Sequence, residues 1–383
     1  MAKVHIALVG GQAMPVYQGI EYYKPDKVLF IYSPQTKNQR DVLKKQIIKK
    51  KIIQKEGVID SEPLDAVDIL EIEKQVQKYK EQFSRDEISI NISSGTKAWS
   101  YLFSKEFESV PNATLIYIDQ NNKIYDLKAK ESYSVNFDFM MQFKLNKNPL
   151  ETYYPFENYT KEDFELIEEI QRIRNQNIDV FTNLTNLDNQ NMSRVQNQRN
   201  GFISFKASSV SWDKNNNQCT FVIKNQNEDY RKTLSSPNIF RIIFNYSWFE
   251  LKVAQIISKW EKAQNIYMNC EFNENANENS GNQRRKTKNE IDIIVNAGNK
   301  ALFVECKTNI KNITDIVKFS KAVENYGGKG SKSIFVSLNE FSHEAKEVIA
   351  DCQNMLLFSF KENNNDDNKL IEYLDAGIKT INK

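Results

Sequence analysis

From residue 1 to about 145 the chain alternates strand-like and helix-like segments, an order that confines this stretch to a largely parallel sheet with helices on its faces. VHIALV, KVLFIY, ISINIS and TLIYID carry the β-branched and aromatic runs of strands. Between them TKNQRDVLKKQIIKKKIIQ and AVDILEIEKQVQKYKEQF repeat apolar residues at helical spacing, and TKAWSYLFSKEF reads as a third helix. A last pair, LIYIDQNNKIYDL, turns on Asn121-Asn122 and predicts a terminal hairpin.

The pattern weakens from 146 to 240. NPLETYYPFENYTKEDFELIEEIQRI ends in a helix, polar Asn-rich sequence follows, and GFISFKASSVSWDKNNNQCTFVIKN predicts a β-hairpin around DKNNN, so the region is expected to be a connector or small subdomain. From 241 to 383 a second α/β unit is expected. It opens on the helix NYSWFELKVAQIISKWEKA, continues through strands NEIDIIVN and ALFVECK around a turn at Gly298-Asn299, and closes with helix DIVKFSKAVENY, strand SIFVSL and a final helical stretch.

Length and composition then remove whole classes of function. At 383 residues, two or three domains are expected, each able to bury a core. Lys and Arg number 52 against 50 Asp and Glu, so nucleic acid must be bound through local patches rather than a global field. Cys219, Cys270, Cys306 and Cys352 form no CxxC pair, which points away from zinc and disulfides and toward a reducing cytoplasm. No run approaches the roughly 20 apolar residues of a membrane span. His5 and His343 are the two histidines; both read as structural, and multi-histidine metal sites lack ligands.

Hydrolysis of a phosphodiester with a divalent metal needs oxygen ligands, a cation near the phosphoryl group and a positioned water. Asp292 and Glu305 fall on adjacent strands of the expected hairpin, and Lys307, two residues beyond Glu305, projects from the same face. Leu302, Val304 and Cys306 share the opposite face, so the charged pair interrupts an apolar strand and requires a reason. Glu250, in WFELKV, is a further carboxylate for the metal. Glu290 shares the face of Asp292 as a ligand or supporting group. Arg284-Arg285-Lys286-Thr287-Lys288 could bind a phosphate backbone, with Lys318 and Lys321 as a weaker second contact. In the order Glu250, Asp292, Glu305-Cys306-Lys307, residues 240 to 340 resemble the PD-(D/E)XK, or restriction-endonuclease-like, nucleases. The resemblance implies Mn²⁺ or Mg²⁺ held by Asp292, Glu305 and Glu250.

Three strand ends of the first region offer glycine, hydroxyls and helix N-termini, the chemistry that receives phosphate: Gly10-Gly11-Gln12, Ser33-Pro34-Gln35-Thr36 and Ser93-Ser94-Gly95-Thr96-Lys97. Neither a Walker loop nor a GxGxxG fingerprint is present. Through its GGQ turn and SSGTK loop the region resembles the CARF domain, a CRISPR-associated Rossmann-like fold. The whole chain resembles the CARF-nuclease effectors of type III CRISPR systems: a CARF domain over 1–145, a connector over 146–240 and a restriction-endonuclease-like α/β domain over 241–383. That resemblance implies a homodimer binding a cyclic oligoadenylate, usually cyclic tetra-adenylate. Gly11, Gln12, Ser33, Ser93, Gly95, Thr96 and Lys97 are its contacts by motif, and metal-dependent cleavage of DNA, RNA or both follows binding. A nucleotide-responsive protein that grips nucleic acid without cutting, and a constitutive repair or restriction nuclease, remain as alternative readings of the same residues.

Overall fold

The computed structural model describes residues 1–224, 229–272, 290–298, 300–309, 313–327, 331–350, 352 and 355–380. Two compact units emerge, one built chiefly from Met1–Leu150 and the other from Glu151–Phe272 with the described residues of 290–324 and 331–380. Among the described residues no helix is long and apolar enough to cross a membrane.

In the first unit β1 (Lys3–Leu8), β2 (Lys27–Ile31), β3 (Val58–Ile59), β4 (Glu87–Asn91), β5 (Ala113–Ile118), β6 (Lys123–Asp126) and β7 (Glu131–Ser134) form one sheet in the order β3-β2-β1-β4-β5-β6-β7. The first five strands pair in parallel and the last two add antiparallel, with Asn122 at φ 56° in the turn of the expected hairpin. Strand alternation supplies two apolar faces. Val4, Ile6 and Leu8 pack with Ile72, Val76, Trp99 and Phe103 of helices Ile69–Gln82 and Lys97–Glu108. Ala7, Val28 and Phe30 pack with Val16, Tyr17, Leu43 and Ile47 of helices Met14–Tyr23 and Lys37–Lys49. The latter helix is shorter than its sequence pattern predicts. One turn beyond Ile47 the stripe reaches polar Lys51, which takes φ 56°, and the chain bends there to bury Ile53. Four elements of this unit were not read from the sequence: the helix Met14–Tyr23, the two-residue strand β3, strand β7 and the helix Phe139–Leu145.

The second unit contains two sheets around one core. Strands β9 (Asn200–Phe205), β10 (Ser208–Asp213), β11 (Gln218–Ile223) and β12 (Tyr230–Ser235) make an antiparallel sheet, so the hairpin expected around DKNNN is the centre of a larger one. Strands β8 (Leu150–Pro155), β13 (Asn265–Phe272), β14 (Ile291–Asn296), β15 (Ala301–Lys307), β16 (Lys332–Ser337) and β17 (Met355–Ser359) form the other, in the order β17-β16-β15-β14-β13-β8. Helix Ser247–Ile257 lies in the core between them, its Phe249, Leu251, Val253 and Ile257 packed with Ile293, Val295, Leu302, Val304 and Cys306. Helix Lys161–Gln176 contributes Ile170 and Ile173 to the same core as Val210 and Phe221 of the smaller sheet.

Candidate active site and ligand-binding edge

The face of β15 opposite the core carries Phe303, Glu305 and Lys307; Phe303 stacks on Phe272 at 6.4 Å. The antiparallel ladder brings Ile293 opposite Val304. One step further, the Cys306 amide donates to Asp292 Oδ2 at 2.7 Å, so a side chain fills a place in the sheet where a backbone carbonyl would serve. Lys307 Nζ lies 2.6 Å from Glu305 Oε1 and 3.8 Å from Asp292 Oδ2. Glu250 enters from the first turn of helix Ser247–Ile257, after Asn245 and Tyr246 at φ 54° and 66°, and accepts a hydrogen bond from Asn269 Nδ2 at 3.3 Å. Asn269 is itself left-handed, at φ 48°, inside β13.

Burial dominates the electrostatics of this group. It raises Glu250 well above the ordinary carboxylate range, with Asp292 and Glu290 adding repulsion. Asp292 is raised by burial against the opposing pull of Lys307 and the Cys306 amide. Glu305 is pushed up to about 8, first by burial and then by Asp292. For Lys307 burial opposes the charge, but Asp292 and Glu305 outweigh it and hold the ammonium above its usual range. One cation thus faces three desolvated carboxylates, an excess of hard anionic oxygen that a small divalent cation would relieve. In donor chemistry the residues suit Mg²⁺ or Mn²⁺. Among the described residues, however, no three His, Cys, Asp or Glu side chains are gathered closely enough to enclose an ion.

Glu250, Asp292 and Lys307 line the base of a cleft of about 1100 Å³, with Glu290, Glu271 and Asn269 beside them. The rest of its lining includes Tyr153 and Tyr154 of β8 and Lys214, Asn217 and Arg241 from the segments between β8 and β13. These residues were not singled out in the sequence, where the region carries no recognisable motif. Lys318 and Lys321 are exposed on helix Ile313–Gly327 and are not among the residues of the cleft, while the basic run Arg284 to Lys288 lies outside the described residues.

In the first unit, parallel neighbours β2, β1 and β4 send their following loops to one edge of the sheet, which collects the three loops expected there. Ser94 ties two of them together: its hydroxyl accepts from Gly10 N at 2.9 Å and donates to the Gln12 carbonyl at 3.1 Å. Gly10 packs so tightly that a Cβ would lie 2.4 Å from Gly95 N, whereas Gly11 has open space around its Cβ position. Gly95 takes φ 88°, which favours glycine. Gly11, Gln12, Gly95 and Lys97 are exposed. Four hydroxyls are engaged internally: Thr96 caps helix Lys97–Glu108 by accepting from Trp99 N, Ser33 and Thr36 form a reciprocal capping box, and Ser93 donates to Asn91 Oδ1 while accepting from Ile118 N. Asn91 is fully buried and also donates to the Pro15 carbonyl, an approach that Gly19 permits, since a Cβ there would lie 2.5 Å from Asn91 Nδ2. His5, at the centre of the sheet, is buried beside Ser89, and His343 is exposed, so neither histidine lies in the cleft lining.

The family models of the Card1 CARF domain and of a restriction endonuclease match residues 4–148 and 271–362 respectively. The chain joins a CARF domain to a restriction-endonuclease-like domain. As a CARF–endonuclease chain it shares its fold with Can2 from Sulfobacillus thermosulfidooxidans, solved in complex with cyclic tetra-adenylate: 17% identity, TM-score 0.65, 98% of this chain and 99% of that one. It is similar also to protein VC1899 from Vibrio cholerae, at 14% identity and TM-score 0.68 over 98% of both chains. A type III CRISPR defence DNA nuclease activated by cyclic oligoadenylate matches at 15% identity and TM-score 0.55, over 93% of this chain and 48% of that chain. No curated protein sequence matches the CARF–endonuclease chain.

Proposed function

We propose that this protein is a metal-dependent endonuclease, switched on by a cyclic oligoadenylate, that cuts DNA, RNA or both in type III CRISPR antiviral defence. The observation that carries the reading is the convergence of Glu250, Asp292, Glu305 and Lys307 on one buried, carboxylate-rich end of a strand pair in a domain of restriction-endonuclease type. Asp292 and Glu305 would hold Mg²⁺ or Mn²⁺, with Glu250 as third carboxylate. An ion held there would supply charge neutralisation and acidify a bound water. Lys307, kept fully charged by its two acidic neighbours, is placed to stabilise negative charge on the phosphoryl oxygens.

At the CARF edge, exposed Gly11, Gln12, Gly95 and Lys97 contact the activator, and Ser33, Ser93 and Thr96 hold the loops that present them. Cyclic tetra-adenylate fits this reading because a two-fold ligand suits an isologous homodimer, whose two copies of the edge bind one ring. Residues 1–145 sense, 241–383 cut and 146–240 connect them, in a cytoplasmic protein. Activation requires the ring to bind the cutting-competent arrangement more tightly than the resting one.

The test is cleavage of labelled single- and double-stranded DNA and RNA, with Mn²⁺ or Mg²⁺, with and without cyclic tetra-adenylate, for the wild type and Glu305→Ala. Cutting is expected only with metal and activator together and is lost in the variant. Activator binding without cutting would overturn the nuclease reading, and equal cutting without activator would overturn the gating.

A further inference from the structure

We infer that the cleft wall contributed by the segments between β8 and β13 is the path of the nucleic-acid strand, with Arg241 and Lys214 as its phosphate contacts. The inference rests on the nuclease reading and adds to it a binding surface outside the carboxylate cluster.

The base of the cleft presents a problem for any polyanion. Glu250, Glu271, Glu290 and Asp292 all line it, and the one cation there, Lys307, is paired with Glu305. A strand of phosphodiesters approaching this base needs compensating positive charge elsewhere along its path. The cleft's lining contains two other cations, Lys214 and Arg241, both outside the strands that carry the carboxylates. Neither has a carboxylate partner among the described residues, so their charge is available to a ligand.

Arg241 is also prepared for the task. Its guanidinium lies 4.0 Å from the centroid of the Tyr154 ring, which fixes the plane of the fork while leaving its edge donors exposed. The ring is fixed in turn: Tyr154 Oη donates to Asn238 Oδ1 at 2.8 Å, and Asn238 Nδ2 donates to Asp163 Oδ2 at 2.7 Å. Asp163 is completely buried and shares a capping box with Thr160 at the start of helix Lys161–Gln176. Two part-buried hydrogen bonds therefore link fully buried Asp163 to the ring beneath an exposed cation, an arrangement that a solvated surface arginine does not need. Lys214 is anchored comparably, by donating to the Gln196 carbonyl from the turn between β10 and β11. Beside them Tyr153 exposes 42% of its surface, its ring held edge-on against Tyr267, and offers a flat apolar surface on which a base can stack. Two cations and an exposed aromatic in the lining of one cleft match the chemistry of an unpaired nucleic-acid strand.

The experiment uses the full chain with cyclic tetra-adenylate. Binding of short labelled single-stranded DNA and RNA is measured by anisotropy across a salt series in the Glu305→Gln background, and steady-state cleavage is measured in the active protein. Arg241→Gln with Lys214→Gln is expected to weaken binding about tenfold or more. It should also flatten the dependence of log affinity on log salt by roughly 0.7 to 0.9 per contact removed, and raise KM while kcat stays within about twofold. Arg241→Lys restores part of the loss, and unchanged thermal unfolding confirms that the glutamine variants are folded. Unaltered salt slope and KM in an enzyme that cuts normally would overturn the wall as strand path and leave the nuclease reading standing. A fall in kcat with KM unchanged would overturn it equally, by assigning these side chains to the reaction itself. A wild type that neither binds nor cuts either probe would remove the parent reading and this one with it.

Discussion

Replacing Asn91 with alanine tests whether the activator edge is held from beneath. The side chain makes three hydrogen bonds, donating to the Pro15 carbonyl at 3.0 Å and accepting from the Ser93 amide at 3.0 Å and the Ser93 hydroxyl at 2.6 Å. Each contributes about 1 kcal/mol net, and groups left unpaired under a buried position cost more, so about 2–4 kcal/mol of stability is at stake. For a unit of this size that is a fall of roughly 5–15 °C in its melting transition. The Ser93 hydroxyl also accepts from Ile118 N, so the substitution loosens the Ser93–Lys97 loop where it meets β5. Calorimetry should register the lower transition, and titration with cyclic tetra-adenylate should register weaker binding in the same protein. Asn91→Asp separates the two halves of the clamp: it keeps the acceptor for Ser93 and turns an oxygen toward the Pro15 carbonyl. It is expected to lose stability yet retain more activator affinity than the alanine variant. A melting temperature for Asn91→Ala within about 1 °C of the wild type would refute the reasoning.

Gly11→Ala meets nothing within 4 Å, so its melting temperature should not change; if Gly11 touches the activator, affinity for cyclic tetra-adenylate should fall severalfold, and unchanged affinity would remove it from the contact surface. His5 provides the pH dependence. Burial lowers its pKa from 6.5 to about 3, so below pH 6.5 the unfolded chain takes up a proton that the folded one refuses. Stability contributed here is complete above pH 6.5 and is lost as pH falls toward 3, to a total of about 3–5 kcal/mol. His5→Gln should flatten the melting temperature against pH over that window, and an unchanged slope would show that another group governs it.

The sequence exposed what depends on short-range periodicity. Alternation along ALFVECK was enough to separate Glu305 and Lys307 from Leu302, Val304 and Cys306, and the core packing follows that division. The three loops at the sheet edge were also legible, because strand order in a parallel α/β unit sends them to one side. What stayed hidden depends on partners far apart in the chain. Asn91 reads as one polar residue in ISINIS until Pro15 and Gly19 are seen against it. Arg241 reads as an isolated charge until Tyr154, 87 positions earlier, lies under its guanidinium. The hydroxyls of Ser33, Ser93 and Thr96 looked equally open to a ligand in the sequence, and only their internal hydrogen bonds distinguish them from Gln12 and Lys97. Strand β3 is two residues long, too short for any period.

Strands β8 and β13 are neighbours in the catalytic sheet, yet the whole smaller sheet and its helices lie between them in the chain. A segment looped out between paired strands begins and ends at nearly the same point, so it can lengthen, shorten or be rewritten without disturbing the register of the strands it leaves. The part of the second unit recognised as restriction endonuclease starts at residue 271, just after that excursion. In evolutionary terms the endonuclease-like sheet and the segment looped out of it can diverge at different rates, each free to change while the other keeps its packing intact.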